Sequence, residues 1–144
     1  VRQMKKRYIV LIIILMLPIL TYSIIHIGNN ITAKKVANLV ANVDLPNDTQ
    51  VVEKFHIAGK LTGNGNGMQY LGAVIIKSDL SIDKLKEYYA ENNLFVEYQT
   101  SQKIDIIEHG DYALKTKINA NNFYIVYAWG DSNTFFEDFD IRGH

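Results

Sequence analysis

The chain has 144 residues, one domain's worth, and once an anchor of about 30 residues is set aside roughly 100 remain for a single core. Its formal charge of zero is the sum of two unlike parts: six basic residues and no acid precede Asp44, whereas fifteen acids face nine bases from Asp44 onward. An acidic outer part without a dense Lys/Arg stripe argues against nucleic acid as a partner, and a chain without cysteine holds no disulfide, thiolate metal site, thiol nucleophile or lipidated cysteine.

Residues 1–7 form a basic flank, and Lys5, Lys6 and Arg7 abut the uncharged run from Tyr8 to Ile27. Twenty helical residues at 1.5 Å each match a bilayer core of about 30 Å, so residues 8–27 are expected to form a transmembrane signal-anchor. Pro18 would break a soluble helix but is tolerated in lipid. The basic flank keeps the N-terminus cytoplasmic and places everything after Gly28 outside the cytoplasm. The competing reading is a signal peptide cut near Thr21 and Ser23, which would release the domain as a secreted protein. Thirteen asparagines and an isoleucine-rich anchor suggest an AT-rich bacterial gene, hence a bacterial envelope.

Residues 28–49 read as a juxtamembrane helix and linker. Val36, Leu39, Val40 and Val43 recur at helical spacing, to pack on the domain or to lie on lipid, and Leu45-Pro46-Asn47-Asp48 is turn chemistry. The domain proper is expected over 50–144, closing a core of its own from about Asn42. In its first strand Phe55 and Ile57 alternate with Lys54 and His56; Tyr70–Lys77 is apolar on both faces and reads as a central strand. Ser81 opens a helix to about Glu91 with Ile82, Leu85 and Tyr88/Tyr89 inward, and Asn92-Asn93 ends it. Strands are expected at Leu94–Gln99, Ile104–Glu108, Tyr112–Ile118 and Phe123–Trp129, the last of these central, with an edge strand at Phe135–Ile141. The fold class is therefore α+β: one small domain with a mainly antiparallel sheet of five to six strands, covered by one or two helices.

The conspicuous local motif is Gly59–Gly67, GKLTGNGNG. It leads into a strand and not a helix, and no Lys-Ser/Thr pair follows it, so a phosphate loop is disfavoured. Asn64-Gly65 and Asn66-Gly67 supply the positive φ values of a hairpin connection, and a ligand-contacting role for Gly63, Asn64, Gly65, Asn66 and Gly67 is the functional alternative. His109 with Glu108 and Asp111, and the acidic tail Glu137-Asp138-Phe139-Asp140, lack the spacing of zinc or calcium sites, while Asp131-Ser132-Asn133 reads as a turn. No serine sits in a nucleophile elbow, so no catalytic residue, metal or cofactor is nominated. The seven tyrosines, six phenylalanines and Trp129 that follow Asp44 are expected to fill the core.

These readings point to a non-catalytic envelope module, anchored through residues 8–27, that binds a protein partner or a small ligand. The alternatives are an accessory, inhibitor or sensor subunit of a neighbouring membrane protein and, further off, a small metal-dependent hydrolase whose ligands gather on folding.

Overall fold

The computed structural model describes residues 2–131 and 136–144. The chain folds as α+β, with one long apolar N-terminal helix, a four-stranded antiparallel sheet and a second helix. Helix α1 (Arg2–Ala41) is unbroken for 40 residues. The stretch read as anchor and the stretch read as juxtamembrane helix are thus one rod, roughly 60 Å long at 1.5 Å per residue. It is long and apolar enough to cross a membrane or to act as a signal sequence. Pro18 lies within it without ending it. The Thr21 and Ser23 hydroxyls donate to the Leu17 and Ile19 carbonyls at 2.8 Å, so these polar side chains are satisfied within the helix.

The two halves of α1 have different surroundings. Large side chains from Tyr8 to Leu20 are exposed, whereas Ile25, Asn29, Ala33, Val36, Ala37 and Val40 are buried, the last four against the sheet. Steps of three and four put these six on one face. Small residues let the rod come close, and the sheet answers with glycines. A Cβ on Gly72 would lie 2.6 Å from Ala37 Cα, and one on Gly130 would lie 2.5 Å from Val36 Cγ2. The upper half of α1 thus packs into the core expected to close from about Asn42.

The strands are β1 (Thr49–Gly59), β2 (Gln69–Ser78), β3 (Phe95–Tyr98) and β4 (Phe123–Gly130), in the order β1-β2-β4-β3. Both runs that are apolar on two faces, β2 and β4, are central, because each must bury both sides. On one face, Val74, Ile76, Val96, Tyr124 and Val126 meet Val40 of α1 and Leu85 and Tyr89 of α2 (Ile82–Ala90). Tyr88 stays outside this stripe, at the surface. On the other face, Leu71, Ala73, Ile75, Phe123, Ile125 and Tyr127 are covered by Ile104, Ile107 and Leu114.

That second cover explains why there are four strands and not five or six. The segments Ile104–Glu108 and Tyr112–Ile118 cross the sheet face as irregular chain and share only the isolated bridge Lys103↔Ala113. Side chains do the work of a ladder. Gln99 Nε2 donates to the Ser101 and Lys103 carbonyls, Gln102 Nε2 to those of Leu114 and Thr116, and the Glu53 carboxylate accepts the Lys115 and Thr116 amides. Extended chain with one face on a core shows the same two-residue alternation as a strand, so periodicity alone does not separate them. The expected edge strand at Phe135–Ile141 is likewise replaced by two 3₁₀ turns, Glu137–Phe139 and Ile141–Gly143. Phe135 lies outside the described residues, as do Ser132 and Asn133 of the turn expected at Asp131-Ser132-Asn133.

Candidate functional site

Asn93, at φ 55°, ends α2 by a left-handed turn in which the Leu94 amide returns to the Tyr89 carbonyl at 3.1 Å. The turn releases the chain as β3, a four-residue strand with no neighbour on its outer side among the described residues. The Gln99 amide donates to the Phe123 carbonyl at 3.0 Å. Antiparallel pairing alternates every residue, so Glu97 and Phe95 also turn their amides and carbonyls toward β4, while Val96 and Tyr98 turn theirs outward. The edge is flanked by aromatic surface. Phe95 and Tyr98 are 54% and 52% exposed, with ring centroids 5.3 Å and 5.2 Å from Tyr127 and Tyr124. Between this edge and α2 runs an open groove of about 850 Å³, lined by Ile82, Ala90, Leu94 and Val96 and flanked by Lys86 and Glu97. The Tyr127 hydroxyl donates to Glu97 Oε1 at 2.7 Å, and burial together with this carboxylate pushes the phenol up.

The opposite edge is guarded. In β1 the register shifts between Val51 and Glu53, Lys54 donates to Asn38 of α1, and Glu53 is occupied by two amides of the crossing segment. Burial alone would raise the Glu53 carboxyl, but those amides outweigh it and hold it below the usual range. Bulges, charges and covering chain are the devices that stop an edge from recruiting another strand. Among the described residues β3 has no bulge and no covering chain, and its one charged residue, Glu97, is engaged by the Tyr127 hydroxyl.

The glycine loop joins β1 to β2 through residues 60–68, a hairpin with a long connection. Its base is held from within. Gln69 Oε1 accepts the Leu61 and Thr62 amides, Glu108 Oε2 accepts the Gly63 amide, and the Gly67 amide donates to the Gly143 carbonyl at 2.6 Å. His109 Nε2 lies 2.7 Å from the Gly63 carbonyl, so Glu108 and His109 serve as clamps on this loop. Gly63 and Gly67 take positive φ, 71° and 140°, whereas Gly65 does not. Gly63, Asn64, Gly65 and Asn66 form an exposed tip, and Gly67 sinks beside Glu137 in a hollow of about 290 Å³. Four backbone amides that an anion would need are thus already engaged.

Elsewhere, polar side chains gather in a buried knot that ties the tail to α1. Asp140, fully buried, accepts from Asn29 Nδ2 at 2.9 Å and from Arg142 Nη2 at 2.7 Å, and the Tyr70 hydroxyl donates to Asn29 Oδ1 at 2.7 Å. Burial would raise the Asp140 carboxyl, but the Arg142 guanidinium and the Asn29 amide outweigh it and hold it at about 2. The arrangement is structural: each member is spent on another. Among the described residues no group of three or more His, Asp or Glu side chains could hold a metal ion.

The sequence does not nominate the β3 edge, because its aromatic residues read as core. The signal was there in Phe95 and Tyr98, which a four-residue strand cannot both bury at a sheet edge. Comparison of the chain with protein-family models, with curated proteins and with solved structures found no match.

Proposed function

We propose that this chain is a non-catalytic binding module, anchored at a bacterial cell envelope by its N-terminal helix, whose ligand is an extended segment of a protein partner that pairs with the free edge of β3. The observation that carries this reading is the contrast between the two sheet edges. The β1 edge is bulged and covered, while β3 offers outward backbone groups at Val96 and Tyr98 beside exposed Phe95 and an open groove. Strand addition draws affinity from main-chain bonds and specificity from side-chain pockets. Val96 and Tyr98 provide up to four such bonds, worth about 2–4 kcal/mol net at roughly 0.5–1.5 kcal/mol each with some imperfection. Micromolar affinity needs about 8 kcal/mol, so the partner segment must also place two or three apolar side chains against Phe95, Tyr98 and the groove, at about 1.5–3 kcal/mol each.

The basic flank Lys5–Arg7 favours a cytoplasmic N-terminus and an extracytoplasmic domain. One further observation favours a more specific version, an accessory or sensor subunit of a neighbouring membrane protein. Because α1 runs unbroken from its apolar half into the domain core, a partner that tilts the apolar half moves the domain and the β3 edge as one body.

The test uses linear peptides selected from a displayed library on the detergent-solubilised chain. Tyr98→Pro removes an outward amide that the sheet does not use, and binders are expected to lose at least tenfold in affinity for it. Tyr98→Ala, which keeps the amide, should lose less. Binders indifferent to Tyr98→Pro would overturn the proposal.

A further inference from the structure

We infer that the C-terminal 3₁₀ turns are a second membrane contact, in which Phe139 and Ile141 enter the leaflet nearer the domain beside α1 and seat the domain on lipid; this rests on reading residues 8–27 as the span.

The tail is held rigidly. Asp140 is gripped by Asn29 and Arg142, Arg142 Nη1 donates to Asn30 Oδ1 at 3.0 Å, and the Lys60 amide donates to the Arg142 carbonyl at 2.7 Å. A tail pinned so firmly nevertheless leaves Phe139 58% and Ile141 69% exposed. In water that forgoes a large part of the burial gain of two big apolar side chains.

Their position supplies the occupant. Phe139 lines an open apolar hollow of about 540 Å³ with Ile14, Leu17, Pro18, Thr21, Tyr22 and Ile25 of α1. Apart from buried Ile25, these residues belong to the same exposed surface that would face lipid, so an acyl chain is the filling continuous with the rest of the helix. At 1.5 Å per residue the helical lining of this hollow runs from about 3 Å (Ile25) to about 20 Å (Ile14) below Ile27, which puts Phe139 alongside the domain-side half of a core of about 30 Å. Exposed Asp138, next to Phe139, limits the insertion to a depth at which its carboxylate stays in the headgroup layer, and the other charges suit that shallow position. Glu137 is turned to the glycine loop, its Oε1 4.0 Å from where a Cβ on Gly67 would stand. Arg142, bonded to Asn30 and the His26 carbonyl, sits at headgroup height, with exposed Lys34 and Lys35 above it.

A chain without cysteine allows single nitroxide labels without background. The full chain is reconstituted in phosphatidylcholine–phosphatidylglycerol vesicles with labels at Phe139→Cys, Ile141→Cys, Leu15→Cys and Lys84→Cys, and collision with oxygen is compared with collision with a water-soluble nickel chelate. Labels at 139 and 141 are expected to favour oxygen several-fold, as at 15, and the label at 84 to favour nickel. An aqueous reading at both 139 and 141 with a lipid reading at 15 overturns the inference and leaves the span standing. Shielding from both reagents also overturns it, since protein then covers the tail. A lipid reading at 139 or 141 together with one at 15 upholds the contact, whereas an aqueous reading at 15 removes the span and the inference with it.

Discussion

Replacing Gly72 by alanine attacks the seam between α1 and the sheet at its tightest point. The added Cβ would stand 2.6 Å from Ala37 Cα, and closer still to the Ala37 nitrogen and the Val36 carbonyl carbon, against an ordinary contact of 3.4–4 Å. The obstacle is backbone, which no rotamer change can clear, so α1 must retreat by about 1 Å or β2 must bend. A gap of 0.5–1 Å forfeits roughly a quarter to a half of each dispersion contact across the seam formed by Val36, Ala37 and Val40. Overpacking typically costs 1–3 kcal/mol, and with backbone on both sides we expect about 3 kcal/mol. For a domain of this size that lowers Tm by about 10 °C or more. The assay is thermal unfolding of the full chain in detergent, followed by the near-ultraviolet signal of Trp129 and the core tyrosines. Gly65→Ala is the internal control, because nothing lies within 4 Å of its added methyl. A Gly72→Ala protein melting within 2 °C of the parent would refute the close packing of α1 on β2.

Three more outcomes follow from the same geometry. Residues 42–144 alone should show no cooperative thermal transition, because they lack buried Ala33, Val36, Ala37 and Val40, while residues 28–144 should melt cooperatively. The Asp140 carboxyl is held down from 3.8 to about 2 by Arg142 and Asn29. Its folded value is depressed, so its contribution is complete above about pH 4 and fades as pH falls through 2. On the order of 2 kcal/mol should be lost in that window, less whatever solvent screening removes, read as a drop in Tm that is smaller in Asp140→Asn. In the glycine loop, Gly63→Ala and Gly67→Ala should each cost about 1 kcal/mol by chemical denaturation, since both residues hold positive φ, while Asn64→Asp at the exposed tip should leave stability unchanged.

What the sequence shows well are elements that bury two faces or one continuous stripe. The runs YLGAVIIK and FYIVYAW can only be central strands, and the Leu85 and Tyr89 stripe can only be a helix face. Two kinds of feature were hidden. The first is the cover formed by residues 101–118, whose backbone is satisfied by Gln99, Gln102 and Glu53 and not by a neighbouring strand. Its alternation of Leu114 with lysines comes from resting on the Ile75 and Ile125 face, and strand pairing would produce the same pattern. The second is the destination of long-range polar partners. Asn29 falls in the stretch read as juxtamembrane helix and linker and Asp140 in an acidic tail, yet they meet across 111 positions to lock tail to helix. Similarly, Glu108 and His109 look like half a metal site and prove to be clamps on Gly63. Nothing in composition or spacing marks such pairs before the chain is folded.

The claim that β3 receives a partner strand has a residue-by-residue signature in amide hydrogen exchange. Phe95 and Glu97 already pair with β4, whereas Val96 and Tyr98 point outward. A selected peptide added at saturation to the reconstituted chain should slow exchange at Val96 and Tyr98 by at least tenfold and leave Phe95 and Glu97 nearly unchanged. Uniform slowing of all four amides, or protection confined to Asn64–Gly67 with β3 unaffected, would contradict it.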